Sequence, residues 1–406
     1  MSAARERLEG WFDAGALLRP DAARPNAVDL TRAVAACAGT DLAAVGLASP
    51  GAAALAERIG DAAHLVFVLV DGLGLDALER LAPAGFLRRH LAGELRSVFP
   101  SATASAITSL AKGRWPGRHA VPGWWTYLPE HALTAVALPF VDRDSGECLE
   151  ARGLSTDVYP EPSLFARYGR DLLLLQPAPI HGSAYSRYLA GGAPCAGFDD
   201  LAHGIDAVLA RVEAAVGPTF TYLYEASVDK AAHDHGPGSP EALAAAAAVE
   251  VALERLAAGL RRSDARLVVS ADHGLVDVPD ERRHLLRDDD ELTALLAMRP
   301  VGEPRAPQLH ALEGRRDRLG AAFAERFGER YALLTTDEAD ALRLFGPEPL
   351  SARARERIGD FVAVAGGADV LLTRRPGADE PEGGERMRGF HGGLLPCEVR
   401  VPLVLA

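Results

Sequence analysis

Short, continuous apolar runs punctuate the chain at 65–70 (LVFVLV), 172–175 (LLLL), 219–224 (TFTYLY), 266–270 (RLVVS), 331–335 and 369–372. None alternates polar with apolar, and runs of this length predict strands covered on both faces. Between them lie the Ala- and Leu-rich segments 199–215, 240–261 and 316–327, whose spacing suits amphipathic crossover helices. The alanine content of 240–261 favours a helix by propensity alone. Strands alternating with helices in this way predict an α/β fold with a largely parallel sheet. Residues 277–385 read as an inserted α/β lobe or cap within a single domain spanning 1–406. Its expected elements are a strand near 307–312, a helix at 316–327, a strand at 331–335 and a helix near 352–363. The stretch 374–388 (RRPGADEPEGGERMR), dense in Pro, Gly and charge, reads as a surface loop.

Composition narrows the class. With 48% hydrophobic and 24% charged residues over 406 positions, the chain can bury a sizeable core. Lys and Arg number 43 against 56 Asp and Glu, a formal charge of −13, which disfavours a nucleic-acid polymer as partner. The four cysteines, Cys37, Cys148, Cys195 and Cys397, form no CxxC pair, so neither a disulfide framework nor a cysteine zinc site is expected. The opening MSAARERLEGWFDAG mixes charges and lacks the apolar stretch of a signal peptide, and every apolar run falls far short of the ~20 residues that cross a bilayer. A cytoplasmic location without membrane contact is the expectation.

Four stretches place Asp or His just where an apolar run ends or a loop closes. LVFVLVDGLGLD runs into Asp71; LYEASVDKAAHDHG follows the strand 219–224 with Asp229 and His233; LVVSADHGLVD runs into Asp272 and His273; RGFHGGL holds His391. Ligands of open parallel sheets bind at the carboxyl ends of the strands. Asp229 and His233 are four apart and share a face if helical. A lone Asp after a strand is usually a cap or turn residue, and a His beside Gly is usually a loop residue. Recurrence of this residue type at one edge shifts the balance toward metal. Carboxylate and imidazole donors suit zinc better than calcium, and six ligands exceed what one tetrahedral ion with an open position uses, so two ions are implied.

A reacting hydroxyl is offered by SVFPSATASAITSLAKGRWPGRHAVPGW, where Ser101, Thr103 and Ser105 precede or open a helix running to about Ala111. Such a hydroxyl either caps the helix or sits beside free N–H groups where a phosphate is held. Spacing does not choose among the three.

The ordered set DGLG, FPSATASAITSLAKGRWPGRHAV, DKAAHDHG, ADHG and GFHGG resembles the alkaline phosphatase superfamily, in particular its type I phosphodiesterase and nucleotide pyrophosphatase branch, across residues 64 to 393. The resemblance implies a doubly wound sheet flanked by helices and a two-zinc site with a Thr or Ser nucleophile that becomes covalently phosphorylated. It implies Asp229, His233 and His391 as ligands of one zinc and Asp71, Asp272 and His273 as ligands of the other. It also implies a nucleophile bridging toward the second group. The family's nucleophilic Thr lies nine residues before a Thr-Gly pair, filled here by Lys112-Gly113, which points to Thr103, with Ser101 as the alternative. The family often has Thr before Phe-Pro, where this chain has Val98.

A further departure concerns the phosphate pocket. The family's Asn, five residues after the His matching His119, is Trp124 here. Trp124, Trp125 and Tyr127 can stack on a flat group, although such a cluster is more often packing. Lys230, Arg118 and Arg305 are candidate phosphate contacts whose plain alternative is solvated surface charge. Asp234 and His235 are weaker candidates for supporting the ligands. The expected activity is metal-dependent hydrolysis of a small phosphate ester, a phosphodiester or nucleotide pyrophosphate, with phosphotransfer or mutase chemistry, phosphomonoester hydrolysis and phosphonate hydrolysis as alternatives.

Overall fold

The uninterrupted apolar runs become parallel strands. Ala265–Ser270, His64–Val70, Thr219–Glu225, Asp171–Pro177 and Cys195–Phe198 lie side by side in that order, all parallel. Every residue of Thr219–Glu225 is buried, as are all but the first of His64–Val70, as strands with a neighbour on each edge and cover on each face require. The strand Arg400–Leu405 then pairs antiparallel with Ala265–Ser270, and Leu91–Arg96 closes the edge antiparallel to Arg400–Leu405. Growth of the sheet reverses at His64–Val70, which has the later strands 219–225 and 265–270 on its two sides. A crevice opens at such a switch point. The computed structural model describes residues 2–375 and 383–406.

The expected helices form at Leu201–Ala214, Pro240–Leu260 and Arg316–Phe327. The longest, Pro240–Leu260, starts from Ser239, whose side chain accepts the Ala242 N–H, and buries Ala242, Ala246, Val249, Leu253, Leu256 and Leu260 along one stripe. No described helix is long and apolar enough to cross a membrane.

A second, antiparallel sheet runs in the order Tyr331–Thr335, Phe361–Ala365, Ala306–Leu309, Val301–Glu303, Trp125–Leu128, Leu133–Val136, Val141–Asp142. Residues 277–385 supply four of these strands, and 125–142 supply the rest. The strand expected near 307–312 is Ala306–Leu309. The helix expected near 352–363 stops at Ile358, where Gly359 takes a φ of +82°. FVAVA then becomes a strand, because its alternate residues serve two cores. Val362 and Val364 pack into one, and Phe361, Ala363 and Ala365 into the other. The run 369–372 appears as Val370–Thr373, paired parallel with Arg283–Leu286. Of the stretch 374–388, residues 376–382 lie outside the described residues, while Gly383–Arg386 form one helical turn, with Arg374 Nε bonded to Glu385 Oε1 at 2.8 Å.

Candidate metal centre

Three parallel strands end level with one another: Val70 pairs with Glu225, and Leu69 with Ser270. The residues that follow therefore enter the same space. Asp71 comes directly after its strand, and Asp272 and His273 come one residue after theirs. Glu225 leads into the helix Ser227–His235, which carries Asp229 and His233 on one face with Oδ2 and Nε2 3.2 Å apart. Gly72 makes the turn at φ +73°, and a Cβ there would sit 2.8 Å from the Asp229 Cα. That close approach lets the Asp229 N–H donate to the Asp71 carbonyl at 3.1 Å. His391 arrives from outside the large sheet, directly after the short strand Gly389–Phe390 that pairs antiparallel with Val276–Asp277.

The six side chains form two triads, Asp229, His233 and His391, and Asp71, Asp272 and His273, each with its donor atoms within 4.8 Å of one another. The His273 and His391 rings stack at 3.9 Å between centroids, so the triads adjoin. His233 Nδ1 donates to the Gly389 carbonyl at 2.8 Å and His273 Nδ1 to the Gly274 carbonyl at 3.2 Å, which turns the Nε2 lone pair of each toward the site. Asp272 Oδ1 accepts the N–H groups of Gly72 and His273, and Asp71 Oδ2 accepts the Tyr224 hydroxyl.

The remaining atoms test whether metal fits. Asp71 Oδ1, Asp229 Oδ1, Asp272 Oδ2 and His391 Nδ1 are buried without a hydrogen-bond partner. An unpaired buried carboxylate oxygen is costly, and three such oxygens together with an unpaired imidazole nitrogen in two adjoining triads match a cation-binding donor set. The site's electrostatics agree. Burial, then repulsion from Asp272 and Asp229, pushes the Asp71 carboxyl well above the usual carboxylate range. Burial also raises Asp272, with His273 opposing it. Burial pushes Asp229 up too, but the neighbouring histidines, His233 foremost, outweigh it and hold that carboxyl below its ordinary value. Burial, then His273 and His233, drives His391 well below the usual imidazole range, keeping it neutral as ligation requires.

The structure separates the three hydroxyls. Thr103 is the first residue of the helix Thr103–Lys112, and the residue before it, Ala102, offers no side-chain cap. Its Oγ1 lies 3.0 Å from His273 Nε2. Ser101 Oγ instead donates to the Gly393 carbonyl at 2.8 Å, and Ser105 Oγ to the Val121 carbonyl at 3.0 Å. Both are fully buried and turned to the backbone. His119 belongs to the same framework, with Nε2 3.0 Å from Ser109 Oγ.

Thr103, Asp71, Asp229, His233 and His391 border a cavity of about 730 Å³, walled by Ile107, Trp124, Trp125, Leu138, Tyr185 and Leu189 among others. Among the described residues lining it, Lys230 is the one Lys or Arg, and it is exposed. Tyr127 lies outside the wall and packs edge-on against His310. Arg118 pairs with Glu348, and Arg305 is fully buried against Glu398, so neither reaches the site. Asp234 and His235 are exposed on the helix surface. Two residues joined the site without a sequence signal of their own. Tyr224 was hidden in an apolar run. Glu303, in the second sheet, lines the cavity, accepts the Trp124 N–H at 2.6 Å, and is pushed up to about 8 by burial.

The profile of the family described as Type I phosphodiesterase / nucleotide pyrophosphatase matches residues 158–394, more than half of the chain. A search of curated proteins finds no match. Solved structures with a similar fold include murine ectonucleotide pyrophosphatase/phosphodiesterase 5, an inactive form in complex with AMP. It has a TM-score of 0.60 and 17% identity, over 84% of this chain and 87% of that one. The human counterpart gives a TM-score of 0.61 at 14% identity, with the same coverage. Phosphonoacetate hydrolase from Sinorhizobium meliloti 1021, in complex with phosphonoacetate, gives 0.58 at 19% identity, over 84% of this chain and 89% of that one. At such identities the likeness is one of fold.

Proposed function

The chain belongs to the type I phosphodiesterase/nucleotide pyrophosphatase family and is a hydrolase of that type, and on that premise we propose that it cleaves phosphodiesters carrying an uncharged apolar or aromatic ester group, with Thr103 as nucleophile beside two divalent ions. The observation that carries this reading is the Thr103 hydroxyl 3.0 Å from His273, at the junction of two triads with orphaned donor atoms.

Asp229, His233 and His391 would hold one ion, and Asp71, Asp272 and His273 the other. Zinc suits the mixed carboxylate and imidazole donors. Bound divalent ions supply Lewis acidity that lowers the hydroxyl pKa and offsets the charge of the ester oxygens. The helix start presents Thr103, Ala104 and Ser105 ahead of the first helical bond, from the Ala106 N–H to the Ala102 carbonyl, so unpaired N–H groups face an anionic phosphorus centre. Thr103 Oγ1 bonds to phosphorus as the bond to the leaving alcohol breaks, and the hydroxyl proton passes through solvent to the departing oxygen. Water then attacks phosphorus, restores the hydroxyl and releases the monoester.

The wall supports the choice of ester. A second phosphate or a monoester dianion calls for cations such as Arg, and the described lining offers Lys230 alone. Trp124 and Trp125 instead provide flat apolar surface. Phosphonate hydrolysis is the second reading, favoured by the likeness to phosphonoacetate hydrolase. It ranks behind because a substrate carboxylate also needs a cation. Acid quenching during turnover of an aryl phosphodiester, followed by peptide mass spectrometry, tests the proposal. The expected result is a phosphate ester on Thr103, and modification elsewhere overturns the assignment.

A further inference from the structure

His391 is the one candidate ligand that no large-sheet strand delivers, so something else must hold its loop. We propose that the buried pair Arg305–Glu398 is a positioning clamp that fixes His391 and thereby sets the affinity of the ion held with Asp229 and His233; this rests on the two-ion reading above. The pair joins the second sheet to the large one. Arg305 Nε and Nη2 reach the two Glu398 oxygens at 2.5 and 2.8 Å, with both side chains fully buried. The fork is bidentate, the geometry that fixes direction as well as energy.

Each partner is tied to something the site needs. Glu398 Oε1 accepts the Gly393 N–H at 2.8 Å, and Oε2 accepts the Leu395 N–H at 3.1 Å, two and four residues beyond His391. The Glu398 carbonyl accepts the N–H of Gly274, next to His273, at 2.8 Å. One residue thus touches the backbone beside a ligand from each triad. Arg305 Nη1 is itself anchored by the carbonyls of Gly367 and Asp369 at 2.9 and 3.0 Å. The fit is tight, since a Cβ on Gly393 would fall 2.6 Å from Glu398 Oε2 and 2.9 Å from Arg305 Nη2. Ser101 closes the loop from the other side through Gly393 and Gly392. A clamp that grips the backbone two residues from a ligand acts as a supporting group of the kind that commonly changes metal affinity 10- to 100-fold.

Removing one partner leaves the other charge buried, so Glu398→Gln alone tests folding as much as positioning. The discriminating variant is Arg305→Met with Glu398→Leu, an apolar pair of similar volume that keeps the packing and leaves the Gly393 and Leu395 N–H groups without their acceptor. Metal-free wild type and double variant are titrated with Zn²⁺ by calorimetry against a competing chelator, with circular dichroism and thermal melts alongside. Wild type should bind two ions. The double variant should keep the wild-type spectrum and bind one ion within about threefold of wild type and the other about 10- to 100-fold more weakly. Two ions at wild-type affinity in a folded double variant overturn the clamp alone. Failure of wild type to bind a second ion overturns the two-ion reading itself. If the double variant does not fold, Gly393→Ala displaces the Glu398 carboxylate without removing a charge and must show the same selective weakening; unchanged affinity for both ions again overturns the clamp.

Discussion

Thr103 Oγ1 and His273 Nε2 face each other across 3.0 Å, joining the first residue of a helix to the end of a strand 170 positions away. Because His273 Nδ1 donates to the Gly274 carbonyl, Nε2 is the acceptor and the Thr103 hydroxyl the donor. The hydroxyl is thus held with its oxygen beside the triad of Asp71, Asp272 and His273.

Replacing Thr103 by Ala should lower turnover of an aryl phosphodiester by about 10³-fold or more while metal content stays the same, since all six donor side chains remain. Thr103→Ser should retain activity within about tenfold. Ser101→Ala should cost far less than Thr103→Ala, because Ser101 bonds only to the 392–393 backbone. Steady-state kinetics with elemental analysis of each variant provides the check.

Protein purified without chelator should carry close to two divalent ions per chain. Stripping them should lower the melting temperature, because the three aspartates then face one another uncompensated. Each ion present at a thousandfold excess over its Kd stabilises by roughly 4 kcal/mol. Thermal melts with and without added Zn²⁺ measure the shift; an unchanged melt counts against the site.

Glu303 gives a pH signature in the metal-free protein. Its folded pKa is raised by burial from an ordinary 4.5 to about 8, so the native state binds its proton more tightly than the unfolded chain. The associated stability is fully present below about pH 4.5 and is lost as pH rises through 8. Relative to a Glu303→Gln variant, wild type should therefore lose stability between these values. Urea unfolding at several pH values measures the difference, and wild-type stability that does not fall relative to the variant as pH rises contradicts it.

The apolar wall predicts that kcat/KM for an aryl phosphodiester exceeds that for the matching monoester under the same metal loading. Trp124→Ala should raise KM about tenfold for the aryl diester and leave a methyl diester nearly unchanged. A clear monoester preference overturns the reading of the wall.

The strand-end motifs were legible because a buried parallel strand leaves an unbroken apolar run, and the Asp or His that ends it stands out. Asp71, Asp272 and His273 were visible for that reason, and Asp229 with His233 by helical spacing. The second sheet was harder to see. Its strands are short, two come from a hairpin near Trp125, and Phe361–Ala365 follows a helix closely enough to read as its continuation. Glu303 and Glu398 left no trace, and Arg305 stood out only as a candidate phosphate contact, since a charged residue in isolation reads as surface and only tertiary pairing buries it.

The level ending of three parallel strands also bears on how such a protein can change over evolutionary time. Five of the six donors belong to one edge of one sheet, whereas the cavity wall is assembled from separate segments near 107, 124, 138, 185 and 303. Drift in any one of those segments reshapes what the pocket accepts and leaves the donor set untouched. New specificities are therefore reachable by single steps, each starting from an enzyme that still works.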